Sequence, residues 1–389
     1  MQGKFIVHEW GTFLAIAGSD GVNLEGMYHE EHPLPAFVHA PKEDTVFSRI
    51  ATLKGETPVI YFYTDKPRRV SVGVDFPTGT WTHWFPSAQR VGRYPGAHPT
   101  RNGHIAWIAN IKPPSPQDRL PTIAPDSLWR FARQVPQAAT VHMTADARLQ
   151  NDTLSGFTPI PASGETERFL FYRGLGKADL PVRFVPEVNG GQLTTTVPVR
   201  SVIVVNVTKG KITWRVFEGL SPKQKLEGIT QRLKPGTPEA VAQCLTSGLV
   251  ESGLFPDEAR ALVNTWKSSY FGSDGLRVLF ILPPSWTEKF IPMRVFPQPN
   301  ALVRVMVGRI EGLTAEREAA VVEALQSYAD APEKHFATLV AQGRYLEPIL
   351  RRLATREGLR QLCEKLLASA FVATGQGSAT EVREALLAR

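Results

Sequence analysis

The sequence predicts an α+β protein: an N-terminal antiparallel, sandwich-like β-rich domain over residues 1–220, followed by a mainly α-helical C-terminal domain over 221–389. Three observations carry that expectation. Short runs of β-branched and aromatic residues, separated by turn residues, fill roughly the first two hundred positions. From Leu220 onward the apolar spacing becomes that of helices. The 389 residues also exceed the roughly 250–300 over which a single core keeps growing, so two domains are expected.

In chain order, Lys4-Phe5-Ile6-Val7 and Phe13-Leu14-Ala15-Ile16 read as one opening strand, and Ala17-Gly18-Ser19-Asp20-Gly21 as a turn. Residues 32–41 contain Pro33, Pro35 and Pro41, which fix an extended, non-helical strap. Residues 58–64 are rich in β-branched and aromatic residues and 69–76 alternate apolar and polar side chains, with Asp65-Lys66-Pro67 between them, the pattern of an antiparallel hairpin. Residues 80–86 form a further strand with two tryptophans, and residues 87–125, rich in Pro, Gly, Arg and His, read as a long surface excursion. Residues 127–135 fit a short helix or a strand equally. More strands are expected at 139–144, 167–173, 181–186, 192–199, 201–208 and 211–217, with Lys209-Gly210 as a hairpin link.

Helical spacing covers 221–233 and 237–253, and Thr237-Pro238-Glu239 is a helix start with proline at the first position. Phe255-Pro256-Asp257-Glu258 opens the next helix, which carries Ala261, Leu262, Val263 and Trp266. Two strand-like runs, 276–282 and 301–310, need partners, either in the N-terminal sheet or in each other. After Thr314 the pattern is helical, broken at Ala331-Pro332 and Gly358.

Composition excludes several classes. With 42% hydrophobic and 21% charged residues the chain is globular rather than disordered, and no apolar run reaches the ~18–20 residues of a membrane span. The net charge of +7 is scattered. Its densest groups are Lys66, Arg68 and Arg69, and then Arg351, Arg352, Arg356 and Arg360, which alternate with Leu353 and Leu359 as the polar face of a helix. No nucleic-acid-binding module accompanies it, so nucleic acid is not an expected partner. Cys244 and Cys363 make neither a disulfide framework nor a paired-cysteine zinc site; they read as core thiols, with a single bridge as the alternative. Met1 leads directly into the strand pattern, which suggests a cytoplasmic protein, or an exported one if a leader has been removed.

The chemistry concentrates near the N-terminus. Four of the nine histidines, His8, His29, His32 and His39, fall in the first tenth of the chain among Glu9, Glu30 and Glu31. Imidazole and carboxylate together suit a divalent metal such as zinc. The expected ligands are His8, His29, Glu31, His32 and His39, with His83 able to join from a neighbouring strand. No helical His-Glu-x-x-His spacing is present, so hydrogen-bonded loop histidines are the alternative. A carboxylate outside the ligand shell would serve as general base: Glu9 first, Glu56 second, each with a purely structural alternative. Arg173 is the candidate for holding an anionic group, or else a surface ion pair. In an extended strand His8 and Glu9 point to opposite faces, so they serve one site only if Gly11 marks a bulge. Nucleophile elbows and phosphate-cradling loops are lacking.

The runs His8-Glu9-Trp10-Gly11-Thr12-Phe13, Pro35-Ala36-Phe37-Val38-His39, Glu56-Thr57-Pro58-Val59-Ile60-Tyr61-Phe62-Tyr63 and Arg168-Phe169-Leu170-Phe171-Tyr172-Arg173-Gly174 resemble those of a group of bacterial proteins sharing the HEWGTF motif. The resemblance spans most of the chain. It implies no activity; proteins of that group often begin with an export signal, a pattern not found in this sequence. Two functions are therefore expected from the residues: a metal-dependent enzyme, most readily a hydrolase acting on a small molecule or peptide, or a non-catalytic β-sandwich module whose exposed Trp81, Trp84 and Trp107 hold carbohydrate or peptide.

Overall fold

The computed structural model describes residues 4–41, 49–93, 102–143, 164–369, 371–372 and 378–387. Its frame is a nine-stranded mixed sheet in which the opening strand, Phe5–Ala17, is interior and almost wholly buried. That strand runs parallel to Ala301–Gly312 on one side and antiparallel to Leu53–Thr64 on the other. Beyond Leu53–Thr64 lie Leu170–Gly176 and Gly79–Phe85; beyond Ala301–Gly312 lie Gly275–Ile281, Val199–Thr208, Lys211–Leu220 and Lys234–Gly236. The two late strand-like runs thus pair with each other and also enter the N-terminal sheet, so residues on both sides of position 220 build one sheet.

A second, antiparallel sheet orders Met293–Phe296, Arg68–Phe76, Gly103–Lys112, Thr140–Met143 and Thr166–Glu167, with Arg90–Arg93 also on Gly103–Lys112. Val70, Val72, Val74 and Trp107 of this sheet meet Val7, Phe13, Ile60 and Phe62 of the larger one in a shared core. The chain is therefore α+β with large mixed and antiparallel sheets, and among the described residues its α-helices follow residue 237 except for the short Trp129–Ala132.

Several expectations are corrected. Leu53–Thr64 and Arg68–Phe76 do not pair as a hairpin. They belong to different sheets and face each other across the core, so Asp65-Lys66-Pro67 is a corner between sheets; an alternating pattern fits either arrangement. Residues 87–125 are not all excursion, because Arg90–Arg93 and Gly103–Lys112 are strands. Residues 221–233 form turns and the two-residue strand Leu226–Glu227 rather than a helix. Trp81, Trp84 and Trp107 are buried in the inter-sheet core and present no exposed aromatic face. Cys244 and Cys363, by contrast, are free thiols as expected, Cys363 buried and Cys244 partly so.

The outer face of the large sheet is covered by helices. Pro238–Glu251 starts at Thr237, whose side chain accepts from Ala240 N at 3.2 Å. Pro256–Lys267 starts with Glu258 accepting from Phe255 N at 2.7 Å, and runs into a π-helical turn at Ser268–Gly272. Farther along the sheet, Leu14 and Ile16 of the opening strand are covered by apolar residues of Ala315–Gln326, Leu346–Leu353 and the helices after them. In Leu346–Leu353 the basic face is used in ion pairs, Arg351 with Glu347 and Arg352 with Asp20 and Glu318. Among the described residues no helix is long and apolar enough to cross a membrane.

Candidate functional site: a charged floor beneath an aromatic cleft

Alternation along the opening strand divides the HEWGTF run between two faces. His8, Trp10 and Thr12 point outward to the helices; Glu9 and Phe13 point into the inter-sheet core. His8 Nδ1 donates to Glu258 Oε2 at 2.7 Å, and the ring packs on Phe255. Thr12 Oγ1 lies 2.6 Å from the Tyr270 hydroxyl in the π-helical turn. Glu9 accepts from Arg304 Nε at 2.6 Å and from the Tyr172 hydroxyl, sealed from solvent. His8 and Glu9 therefore serve opposite faces despite the bulge.

The bulge exists and is part of a larger fault. Register shifts fall between Trp10 and Thr12, between Gly55 and Val59 on the next strand, and between Trp81 and His83 two strands farther on. Thr57 sits at φ 48°, a left-handed conformation that a β-branched residue adopts at a cost. Gly11 makes the close approach possible, since a Cβ there would lie 2.9 Å from Pro58 Cα. Bulges re-aim side chains and occur beside sites. Here Thr12 is brought opposite Glu56, and His83 opposite Arg173, on neighbouring strands.

On the outer face these residues join a buried ionic network. Lys54 Nζ donates to the carbonyls of Tyr28 at 3.2 Å and His29 at 2.7 Å and pairs with Glu30 at 2.9 Å, which fastens the segment leading into the strap to the sheet. Arg173 Nη1 bonds the other oxygen of Glu30. Arg344, from the turn Gly343–Tyr345, forks between Glu56 Oε1 at 2.5 Å and Glu31. Arg309 sits 3.6 Å from Glu31 and donates to Glu311 at 2.7 Å, which also takes Arg277 at 2.9 Å.

Burial sets the electrostatics of this layer. It opposes charge on Glu31, but the Arg344 and Arg309 guanidiniums overcome it and hold that carboxyl at about 2. Burial pushes the Lys54 ammonium down to about 7, with Glu56 pulling the other way. Burial, then the Lys54 charge, pushes His83 to about 4, so its imidazole is neutral at pH 7. Arg173 is lowered to about 9, first by burial and then by Arg344, and it stays protonated.

Above the network opens a cleft between the strap, the segment 127–132 and the helix Pro256–Lys267. Trp10, Trp129, Trp266, Phe169 and Phe171 wall it, with Leu34 and Val59; Glu30, Glu31, His32, Glu56 and Arg173 supply its polar end. Four buried atoms of the residues lining the cleft have no hydrogen-bond partner: Arg173 Nε, Glu56 Oε2 and His32 Nε2 at the polar end, and Trp10 Nε1 on the aromatic wall. Orphaned buried polar atoms cost roughly 1–3 kcal/mol each unless something satisfies them.

The structure brings Glu31, His32, Glu56 and Arg173 together here and separates the other expected site residues. His29 lies next to the strap with Nε2 2.8 Å from Glu347 Oε2. His39 pairs with Glu165 at 2.8 Å and stacks on Trp84 and Phe85. His8 is held by Glu258. Among the described residues no group of three His, Cys, Asp or Glu side chains is placed to share an ion. His8, His29 and His39 are instead held by three different carboxylates, Glu258, Glu347 and Glu165, while His32 lines the cleft with Nε2 unpartnered. Sequence reading missed Glu30, Lys54, Arg309 and Arg344. The only signal was an unusual density of charge inside strands, as at Lys54 and Arg309.

No family model matches the sequence, and no curated protein does. Among solved structures the chain is similar to the Fcho1 Mu homology domain of Danio rerio with bound Eps15 peptide, at 6% identity, covering 80% of this chain and 97% of that one with a TM-score of 0.28. At that score and identity the similarity transfers no residue and no ligand.

Proposed function

We propose that this chain is a binding module that holds a small organic molecule in the aromatic cleft, with an apolar body between the tryptophans and a polar end on the charged floor. The observation that carries the reading is the convergence of Arg173 Nε, Glu56 Oε2 and His32 Nε2, all unpartnered, on one cleft walled by Trp10, Trp129 and Trp266. Largely apolar pockets with a few convergent polar groups are how small-molecule sites are commonly built. The reading keeps the non-catalytic module of the sequence analysis and moves its aromatic face from Trp81, Trp84 and Trp107 to these other tryptophans. It routes no chemistry through a metal, because the histidines do not share a site.

The test is a thermal-shift and tryptophan-fluorescence screen of the intact chain against amino acids, organic acids, sugars and short peptides. A ligand at ~100 times its Kd adds about 2.7 kcal/mol of stability, which is several degrees in Tm. Leu128 lines the cleft, and Leu128→Trp, which adds bulk there, is expected to abolish both signals with the circular-dichroism spectrum unchanged. A panel that gives no shift, or a shift that survives Leu128→Trp, overturns the reading.

A further inference from the structure

Resting on the cleft reading above, we infer that the ligand class is the zwitterionic α-amino acid with a bulky apolar side chain, bound by its carboxylate at Arg173 and its ammonium at Glu56. Both side chains are more than nine-tenths buried, at 4% and 1% exposure, and both line the cleft. Each has one functional group already engaged, Arg173 Nη1 with Glu30 and Glu56 Oε1 with Arg344, and each leaves a second polar atom without a partner. The two engaged contacts fix the orientation of the free atoms before any ligand arrives, so little ordering is left for binding to accomplish.

The free atoms differ in kind. Arg173 Nε is a cationic donor and Glu56 Oε2 an anionic acceptor. Their residues lie on adjacent strands at the register shift between Gly55 and Val59, where Gly55 faces Gly174. A ligand that satisfies both must place an anion and a charged or strongly polar donor a short distance apart. The ammonium and carboxylate of an α-amino acid share one carbon and do so by construction. A simple carboxylic acid leaves Glu56 Oε2 orphaned, an amine leaves Arg173 Nε orphaned, and either defect retains the desolvation cost of the unmet group.

The remainder of the site selects the side chain. Trp129, Trp266, Phe169 and Phe171 offer π-faces and edges, Leu34 and Val59 aliphatic surface, and this end of the cleft holds no charged group. A sugar fits poorly, because its ring of hydroxyls would be buried against walls that carry few polar atoms. A side chain such as that of phenylalanine, leucine or tryptophan removes apolar surface from water on every side, worth about 25 cal/mol per Å².

Isothermal titration of the intact chain with a matched set of ligands decides the matter: L-phenylalanine, 3-phenylpropanoate lacking the amine, phenethylamine lacking the carboxylate, and glucose. Phenylalanine is expected to bind roughly tenfold or more tighter than either truncated analogue, and glucose not at all. Arg173→Gln should remove the advantage of phenylalanine over phenethylamine, and Glu56→Gln its advantage over 3-phenylpropanoate. The wild-type panel alone suffices if either variant fails to fold. If 3-phenylpropanoate, phenethylamine or glucose binds as tightly as phenylalanine, the amino-acid assignment fails while the cleft stands as a site. If neither these ligands nor any member of the wider screen binds, the cleft reading falls as well.

Discussion

Lys54 donates from Nζ to the carbonyl of His29 at 2.7 Å, and this buried ammonium ties the residues that lead into the proline-stiffened strap to an interior strand. Its other contacts, the carbonyl of Tyr28 and the carboxylate of Glu30, lie on the same lead-in segment. That segment and the strap together supply Glu30, Glu31, His32 and Leu34 to the cleft. Lys54→Met keeps the length and apolar stem and leaves those acceptors unmet. The expected loss is roughly 2–4 kcal/mol of unfolding free energy, with hydrogen exchange of residues 28–35 accelerated far more than that of the opening strand. Unchanged protection of the strap would mean that Lys54 does not hold it.

Glu31 gives the acid limb of the stability profile a definite origin. Burial works against its charge, yet Arg344 and Arg309 hold its pKa at about 2, below the ordinary 4.5. Between those values the unfolded chain takes up a proton that the folded chain refuses, so the contribution of Glu31 is fully present above pH 4.5 and is lost as pH falls toward 2. Urea titrations at a series of pH values should therefore give a stability curve that falls less steeply over this window in Glu31→Gln than in the wild type. Parallel curves would count against the ion pairs. The same variant should lose part of its stability at pH 7, where the wild-type carboxylate is charged.

What could be read in the sequence, and what could not, follows from how far apart the partners lie. The opening strand, the helix start at Thr237-Pro238 and the start at Phe255-Pro256 are local signals, and they match Phe5–Ala17, Pro238–Glu251 and Pro256–Lys267. Glu56 stood out as a candidate general base at the entry to an aromatic strand and Arg173 as a candidate anion-binding guanidinium at a strand end, and both line the cleft. Arg344 did not stand out: it bonds Glu56 across 288 residues of chain, and in sequence it is one basic residue among many on a helical stretch. The histidine cluster misled for the complementary reason. Nearness in sequence placed His8, His29 and His39 together, whereas the sheet sends His8 to Glu258, the strap sends His29 to Glu347, and a bridge to Trp84 carries His39 to Glu165. The hairpin expected at Asp65-Lys66-Pro67 failed because two strands facing each other across a core show the same alternation as two strands side by side.

Glu9 separates a motif's structural work from its binding work. It is fully buried, faces the inter-sheet core, and compensates Arg304 at 2.6 Å while accepting from Tyr172. The remaining partner of Arg304, Glu288 at 2.7 Å, is half exposed and is a weaker counter-charge. Glu9→Met leaves a guanidinium buried with too little negative charge and is expected to destabilise the chain by on the order of 3 kcal/mol. Pairing it with Arg304→Met removes both charges, and an apolar pair there should restore most of that loss, since breaking a buried ion pair costs more than never having it. Ligand affinity at the cleft should be the same in the folded wild type and the double variant, because the sheet lies between Glu9 and the site. A double variant that folds and yet binds tenfold more weakly would place Glu9 in the binding machinery after all.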